Sequence, residues 1–175
     1  MRAKLTTLIA LVALVAAFAS SLHAQTYPSR SLRIVVPFAP GGSTDIFARL
    51  IGERLAAALG QPVVIDNRPG AGGNIGAEIV AKSPPDGYTL LMATTGVMAI
   101  NNSLYRNLNY DAAKDLEPVS YIASITNVLI VPADSPLKSV GDLIAAAKAA
   151  PGKLAFASSG AGSSTHMSAE LFKSM

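Results

Sequence analysis

Three segments of the chain are rich in glycine, serine and threonine, and each follows a run of residues typical of a β-strand. They read PFAPGGSTD at 37–45, ATTG at 93–96 and SSGAGSSTH at 158–166. Two of them lead straight into a helical pattern, and the first turn of a helix offers unpaired N–H groups at a positive dipole end. Glycine lets the backbone approach a ligand closely, and hydroxyl groups add hydrogen-bond donors. This chemistry suits a small anion such as a carboxylate and needs no basic side chain.

The same residues also have a purely structural explanation. Ser43, and either Ser163 or Ser164, can cap the helices that they precede. For one such loop alone, helix capping is the better explanation. Two long loops together with a third at a strand end favour a carboxylate site.

Motifs for catalysis and cofactor binding are incomplete in this sequence. In the GAGGNIG segment at 70–76 the third glycine arrives one residue late for a dinucleotide loop, and no P-loop lysine follows any glycine-rich segment. The SPLK segment at 135–138 matches S-x-x-K without the elements that accompany it in β-lactamases. We therefore predict no catalytic residue and no cofactor. A secreted hydrolase or transferase that uses the same loops is the alternative.

Strand-like and helix-like segments alternate along the chain, which predicts an α/β fold with a largely parallel sheet. Strands are predicted at 32–36, 63–65, 88–93, 119–123, 127–131 and 154–157, and helices at 43–59, 73–82, 97–102, 139–149 and 165–174. Ligands in such folds bind beyond the carboxyl ends of the strands. The three loops named above all lie at predicted strand ends.

The first residues predict export. Arg2 and Lys4 precede an apolar run from residue 5 to 19, and small residues follow up to Ala24, which is the pattern of a cleaved signal peptide. A retained membrane anchor is the alternative, but the run is shorter than the about 20 residues that a spanning helix needs. Removing residues 1–24 leaves 12 basic and 11 acidic residues, a net charge of +1 that gives no indication of nucleic-acid binding.

Cysteine is absent from the sequence, and His166 is the only histidine beyond residue 24. The absence of cysteine excludes a disulfide scaffold and a lipid-anchored lipoprotein. With one histidine and no cysteine, we predict no metal site of the usual histidine or cysteine type.

Several motifs make the chain similar to a known family. They are YPSR at 27–30 leading into IVVPFAPGGSTD at 34–45, VIDNRPGAGGNIG at 64–76, AKSPPDGYTL at 81–90, and SSG at 158–160 with TH at 165–166. With these motifs the chain resembles the Bug-type, or TctC-type, substrate-binding proteins of tripartite tricarboxylate transporters. The resemblance spans essentially the whole chain after residue 24, and the first two motifs are long enough to be specific.

The resemblance implies a periplasmic solute-binding protein that captures small carboxylates, either organic di- and tricarboxylates or acidic amino acids, and delivers them to membrane subunits of the transporter. It implies a monomer at full length and a site that uses backbone N–H groups, hydroxyls and ordered waters. By motif match, the ligand-binding residues are Phe38, Ala39, Gly41, Gly42, Ser43, Thr94, Thr95, Ser158, Ser159, Thr165 and His166. Asp45 belongs to the same motif, where it either complements the start of the helix or pairs with an ammonium group of the ligand.

The resemblance also implies a fold like that of the type II periplasmic binding proteins, a two-lobed α/β clamshell about twice the length of this chain. We assign residues 1–24 to the signal peptide, 25–126 to the first lobe and 127–175 to an incomplete second lobe. The chain is expected to stop within that second lobe, because the helical pattern at its end has no glycine or proline terminator. A non-functional truncated product of the binding protein is therefore a third possibility.

Overall fold

Three short strands form a parallel sheet near the beginning of the region that the computed structural model describes, residues 27–175. The strands are β1 (Leu32–Val36), β2 (Val63–Asn67) and β3 (Thr89–Leu91), and their order across the sheet is β2-β1-β3. The predicted signal peptide at 1–24 lies outside the described residues.

β1 is the central strand, and it is almost wholly buried. Ile34 pairs in register with Ile65 of β2 and Leu90 of β3, so one apolar row crosses the sheet. Val35 and Val36 have no exposed surface. A central parallel strand is covered on both faces and therefore consists of nearly continuous apolar residues, which explains why this strand could be predicted from the sequence.

α1 (Ser43–Leu59) follows β1 and packs on one face of the sheet through Ala48 and Leu55. Gly52 lies in the middle of α1, where an added Cβ would meet a β2 side chain at 3.1 Å, so the absence of a side chain brings the helix close to the strand. The helix ends at Gly60, whose φ of 67° is left-handed. Glycine adopts this conformation at little cost, and the predicted bounds of 43–59 are confirmed.

Shorter helical segments cover the opposite face of the sheet. Ala77, Val97, Tyr110 and Ala112 form the buried core on this side. The segments are a 3-10 turn at Ala71–Gly73 that runs into α2 (Asn74–Ala81), a π-helical turn at Gly96–Ile100 that continues into α3 (Asn101–Leu104), and α4 (Ala112–Asp115). The helices predicted at 73–82 and 97–102 are confirmed, whereas α4 was not predicted from the sequence.

The later part of the chain contains two helices. α5 (Val140–Ala149) is capped by Ser139, and α6 (Ser164–Ser174) is capped by Ser163, close to the predicted bounds. The strands predicted at 119–123, 127–131 and 154–157 are wrong, because the structure has no strand in these segments. A strand forms only when a neighbour accepts its backbone hydrogen bonds, and apolar side chains such as Ile130, which is 80% exposed, lie unpaired on the surface.

Candidate functional site

The first glycine-rich loop connects β1 to α1. Gly42 is the residue that precedes α1, and no side chain caps the helix there. Ser43 is the first residue of the helix itself, so its predicted role as a cap is wrong. Gly41, Gly42 and Ser43 are all exposed. The first N–H groups of a helix have no partner within it, and α1 therefore presents its positive end to solvent.

Asp45 lies in the first turn of α1 and is 4% exposed at its side chain. Its carboxylate accepts a hydrogen bond from the Gly41 backbone N–H at 2.9 Å. Arg49 donates to both carboxylate oxygens, from Nε and Nη2, at 3.0 Å each. Asn67, at the end of β2, donates from Nδ2 to the same carboxylate at 3.0 Å.

These donors hold the pKa of the Asp45 carboxyl well below its ordinary value; the hydrogen bonds from Arg49 contribute most, followed by those from Gly41 and Asn67. Asp45 is therefore a carboxylate that is already neutralised and fully hydrogen-bonded. These contacts suit a carboxylate that complements the start of the helix, which is one of the two roles considered for Asp45; its role toward a ligand stays a prediction.

Asn67 also holds the loop directly. Its Nδ2 donates to the backbone carbonyl of Phe38 at 3.1 Å, while its Oδ1 accepts from Arg49 Nη2 at 3.3 Å. Neither Asn67 nor Arg49 was predicted as a site residue. Asn67 lies in the VIDNRPG motif at the carboxyl end of a strand, and this position was the signal that could have identified it.

The second loop, which contains Thr94 and Thr95, leads from β3 into the π-helical turn. The Thr94 carbonyl accepts from the Met98 N–H at 3.0 Å, so the helical segment begins here. Thr94 is partly buried and Thr95 is exposed. Gly96 follows and is buried against the third loop, where an added Cβ would lie 2.6 Å from the Gly162 carbonyl oxygen.

The third loop, at 158–166, packs on the first part of the chain through its backbone. An added Cβ on Gly72 would collide with the Ala161 carbonyl oxygen, and one on Gly162 would collide with Asn101 Oδ1. Tyr105 donates its hydroxyl hydrogen to the Ala161 carbonyl at 3.2 Å. Of the three loops predicted to bind a ligand, the second and the third are therefore in direct contact, at Gly96 and Gly162.

Hydroxyl groups order the third loop internally. Thr165 Oγ1 accepts from the Ser159 N–H at 3.1 Å and lies 3.0 Å from the hydroxyls of both Ser159 and Ser163. Ser163 Oγ accepts from the His166 N–H at 3.2 Å, which confirms its predicted role as a helix cap. Ser158 Oγ accepts from the Gly160 N–H at 3.3 Å.

The imidazole of His166 is also part of this loop. Its Nδ1 accepts from the Gly162 N–H at 3.4 Å, and its ring stacks on Phe156 with 6.3 Å between centroids. With Nδ1 as an acceptor, the neutral ring carries its hydrogen on Nε2, which lies 3.8 Å from Glu170 Oε1. No group of three or more potential metal ligands occurs within residues 27–175.

Three buried polar side chains, Asn74, Asn101 and Tyr110, form a hydrogen-bonded cluster near the second and third loops. Asn74 Oδ1 accepts from Asn101 Nδ2 at 2.6 Å and from the Tyr110 hydroxyl at 2.8 Å. Asn101 Nδ2 also donates to the Gly72 carbonyl at 3.1 Å. These side chains fix α2, α3 and the glycine-rich turn relative to one another, and sequence reasoning did not identify them.

A parallel sheet with helices on both faces and glycine- or threonine-containing loops after β1 and β3 is an α/β arrangement of the doubly wound type, in which ligands bind beyond the carboxyl ends of the strands. Comparison with known proteins narrows this class. The sequence model of the tripartite tricarboxylate transporter family receptor, TctC, matches residues 47–175. The chain belongs to this family, and the resemblance found from the sequence is confirmed.

Related proteins agree with this assignment. BugT from Bordetella pertussis is 43% identical over 171 residues, which cover 97% of this chain and 52% of BugT. A structure of Rpa4515 from R. palustris with adipate superposes with a TM-score of 0.82 at 48% identity, over 85% of this chain and 50% of that chain. A structure of the periplasmic binding protein BugD superposes with a TM-score of 0.73 at 33% identity, over 85% and 49% of the two chains.

The predicted fold class is confirmed, because these structures are α/β periplasmic binding proteins of the same family. The chain spans about half the length of the curated relatives it matches. In the region from 27 to 175, none of the helices has both the length and the apolar character that a membrane crossing needs.

Proposed function

We propose that this chain belongs to a periplasmic receptor that captures small carboxylates and passes them to the membrane subunits of a tripartite tricarboxylate-type transporter. Membership of the TctC receptor family supports the proposal. The adipate in the structure of Rpa4515 favours an aliphatic dicarboxylate as the ligand. Within this proposal the chain acts by binding alone, as a monomer at full length, with lobes at 25–126 and 127–175.

The start of α1 is the single observation on which the proposal depends most. The helices α4, α5 and α6 are preceded by Asp111, Ser139 and Ser163, each of whose side chains accepts a hydrogen bond from one free N–H group of the first turn. α2 begins in a buried environment. α1 instead begins at an exposed glycine without a side-chain cap. An uncapped and exposed helix start leaves N–H groups available for a ligand carboxylate.

The proposed site includes the residues predicted from the sequence. The start of α1 supplies backbone donors, and the second and third loops supply hydroxyls and further N–H groups. The residues are Phe38, Ala39, Gly41, Gly42, Ser43, Thr94, Thr95, Ser158, Ser159, Thr165 and His166. Among these, Gly41 contributes by orienting the loop, because its N–H is already donated to Asp45.

Calorimetric titration of the purified chain tests the proposal. Adipate, citrate and glutamate represent the three candidate carboxylate classes, and 1,6-diaminohexane is a control of similar length with the opposite charge. We expect saturable binding of at least one carboxylate, no binding of the diamine, and no change in the carboxylate after prolonged incubation. A folded chain, verified by circular dichroism, that binds none of the three carboxylates would refute the proposal. Conversion of a bound carboxylate would favour the enzyme alternative.

A further inference from the structure

Residues 39–43 of the first loop lie outside the apolar core, and polar side chains determine their course. Ala39, Pro40, Gly41, Gly42 and Ser43 are all exposed, so burial does not hold them in place. Hydrogen bonds from neighbouring elements fix the two ends of the loop instead. On one side, Asn67 Nδ2 donates to the Phe38 carbonyl at 3.1 Å; on the other, the Gly41 N–H donates to Asp45 at 2.9 Å.

Asn67 links these two attachments, because the same Nδ2 group donates to Asp45 Oδ1 at 3.0 Å. The loop is therefore held between the end of β2 and the first turn of α1 by one amide and one carboxylate. Such a connection determines the direction in which the N–H groups of Gly42 and Ser43 point. Pre-organised donors bind a ligand more tightly, since less ordering is required on binding.

Charge is the second property of this cluster. An unpaired carboxylate in the first turn of α1 would repel an anionic ligand at the same helix start. Arg49 lies one turn further along α1, forms two hydrogen bonds with Asp45 at 3.0 Å, and compensates its charge. When the Asp45–Arg49 ion pair is formed, the start of the helix retains its N–H donors and its dipole without a net negative charge beside them.

We propose that Asn67 and the Asp45–Arg49 pair are positioning residues of the carboxylate site: Asn67 and Asp45 orient the first loop, and Arg49 cancels the negative charge that Asp45 would present to the ligand. The inference rests on the proposed function, since it concerns the same site. None of the three side chains needs to contact the ligand.

Two ligand-free measurements test the orientation of the loop. In the unsubstituted chain, the Gly41 amide should exchange slowly with solvent in an NMR experiment, despite the exposure of the residue. Asp45→Ala removes the acceptor of the Gly41 N–H and should increase this exchange at least about tenfold, because a lost hydrogen bond of about 1.4 kcal/mol corresponds to that factor. Asn67→Ala removes the amide that holds Asp45 and the Phe38 carbonyl, and should increase the exchange in the same direction. Unchanged exchange in both variants would overturn the proposal, whether or not the chain binds a carboxylate.

Titration with adipate at two salt concentrations tests whether Arg49 cancels the negative charge of Asp45. Arg49→Met should weaken binding about tenfold at low salt, and much less at about 1 M salt, where screening acts within about 3 Å. The double variant Asp45→Asn with Arg49→Met removes both charges and should recover part of the lost affinity. Arg54→Met, the same substitution on an exposed residue of α1, is the matched control and should bind normally.

The outcomes separate the two proposals. If the unsubstituted chain binds none of the carboxylates, the proposed function fails, and the ligand part of this inference fails with it. If the unsubstituted chain binds adipate but Asn67→Ala binds it equally well, the positioning role is wrong while the proposed function stands. Equal, salt-independent weakening in Arg49→Met and the double variant would show that the pair acts only on folding.

Discussion

Substitution of Gly42 gives a direct test of whether the backbone at the start of α1 binds the ligand. Gly42 has a φ of −78°, which proline adopts without strain, and an added Cβ would lie 3.9 Å from the nearest atom, the Ala39 carbonyl oxygen. Gly42→Pro therefore removes one N–H donor at a compatible φ, and its added Cβ has no close neighbour. Gly42→Ala is the matched control, because alanine fits the same space and keeps the donor.

The expected size of the effect follows from the loss of one hydrogen bond to a charged group. Such a bond contributes about 1.5–3 kcal/mol, which corresponds to about a 10- to 150-fold increase in Kd for Gly42→Pro. Gly42→Ala should bind much more like the unsubstituted chain than Gly42→Pro does, because alanine keeps the N–H donor and its Cβ lies 3.9 Å from the nearest protein atom. Calorimetric titration with adipate gives both values, and thermal melts monitored by circular dichroism verify that both variants fold. Normal binding by Gly42→Pro would refute the assignment of this N–H group to the ligand.

Further predictions concern the capping serine, pH and the packing of the third loop. Ser163→Ala should lower the free energy of unfolding by about 0.5–2 kcal/mol through loss of a cap, whereas Ser43→Ala, at a position that caps nothing, should leave it unchanged within about 0.5 kcal/mol; urea titrations give both values. Asp45 has a pKa below its ordinary value of 3.8, so its contribution to stability is complete above that value and is lost as pH falls through the lower folded pKa. The stability difference between the unsubstituted chain and Asp45→Asn should accordingly be constant from about pH 5 to 7 and shrink only below that range; pH-dependent urea titrations would contradict this if the difference already vanished near neutral pH. Gly162 has a φ of 83° and contacts Asn101, so Gly162→Ala should destabilise the chain by about 1–3 kcal/mol, and an unchanged urea midpoint would show that the third loop packs differently.

The parts of the fold that could be predicted are those with local causes. The bounds of α1 follow from an apolar helical period and from Gly60 at its end, and the central strand β1 follows from its apolar run. The strands predicted at 119–123, 127–131 and 154–157 had equally apolar residues. They are absent because strand formation also requires a partner, which a local pattern cannot supply.

In the candidate site, too, features with a local cause could be predicted, and those that depend on distant contacts could not. The glycine- and serine-rich loops could be found because their composition indicates backbone donors. The position of Asn67 at a strand end could have marked it as a candidate, but its specific role could not be predicted, because that role depends on contact with Phe38, a residue 29 positions away in the sequence. Arg49 was overlooked for a related reason: an i,i+4 pair with Asp45 is common on helix surfaces, and only the burial of Asp45 gives it importance.

Glycines bring the third loop close to its neighbours: Gly96 of the second loop lies against the Gly162 carbonyl, Gly72 lies against the Ala161 carbonyl, and Gly162 lies against the Asn101 side chain. At Gly72, Gly96 and Gly162 there is no room for a Cβ atom. A change of residue at these positions can therefore only disrupt the contact and cannot adjust it. Within the proposed carboxylate site, ligand preference can still change through residues around the contact, such as Thr94 or Ser159, without moving the loops. The backbone would then act as a fixed frame for different carboxylates, and differences in specificity would be confined to the side chains that surround it.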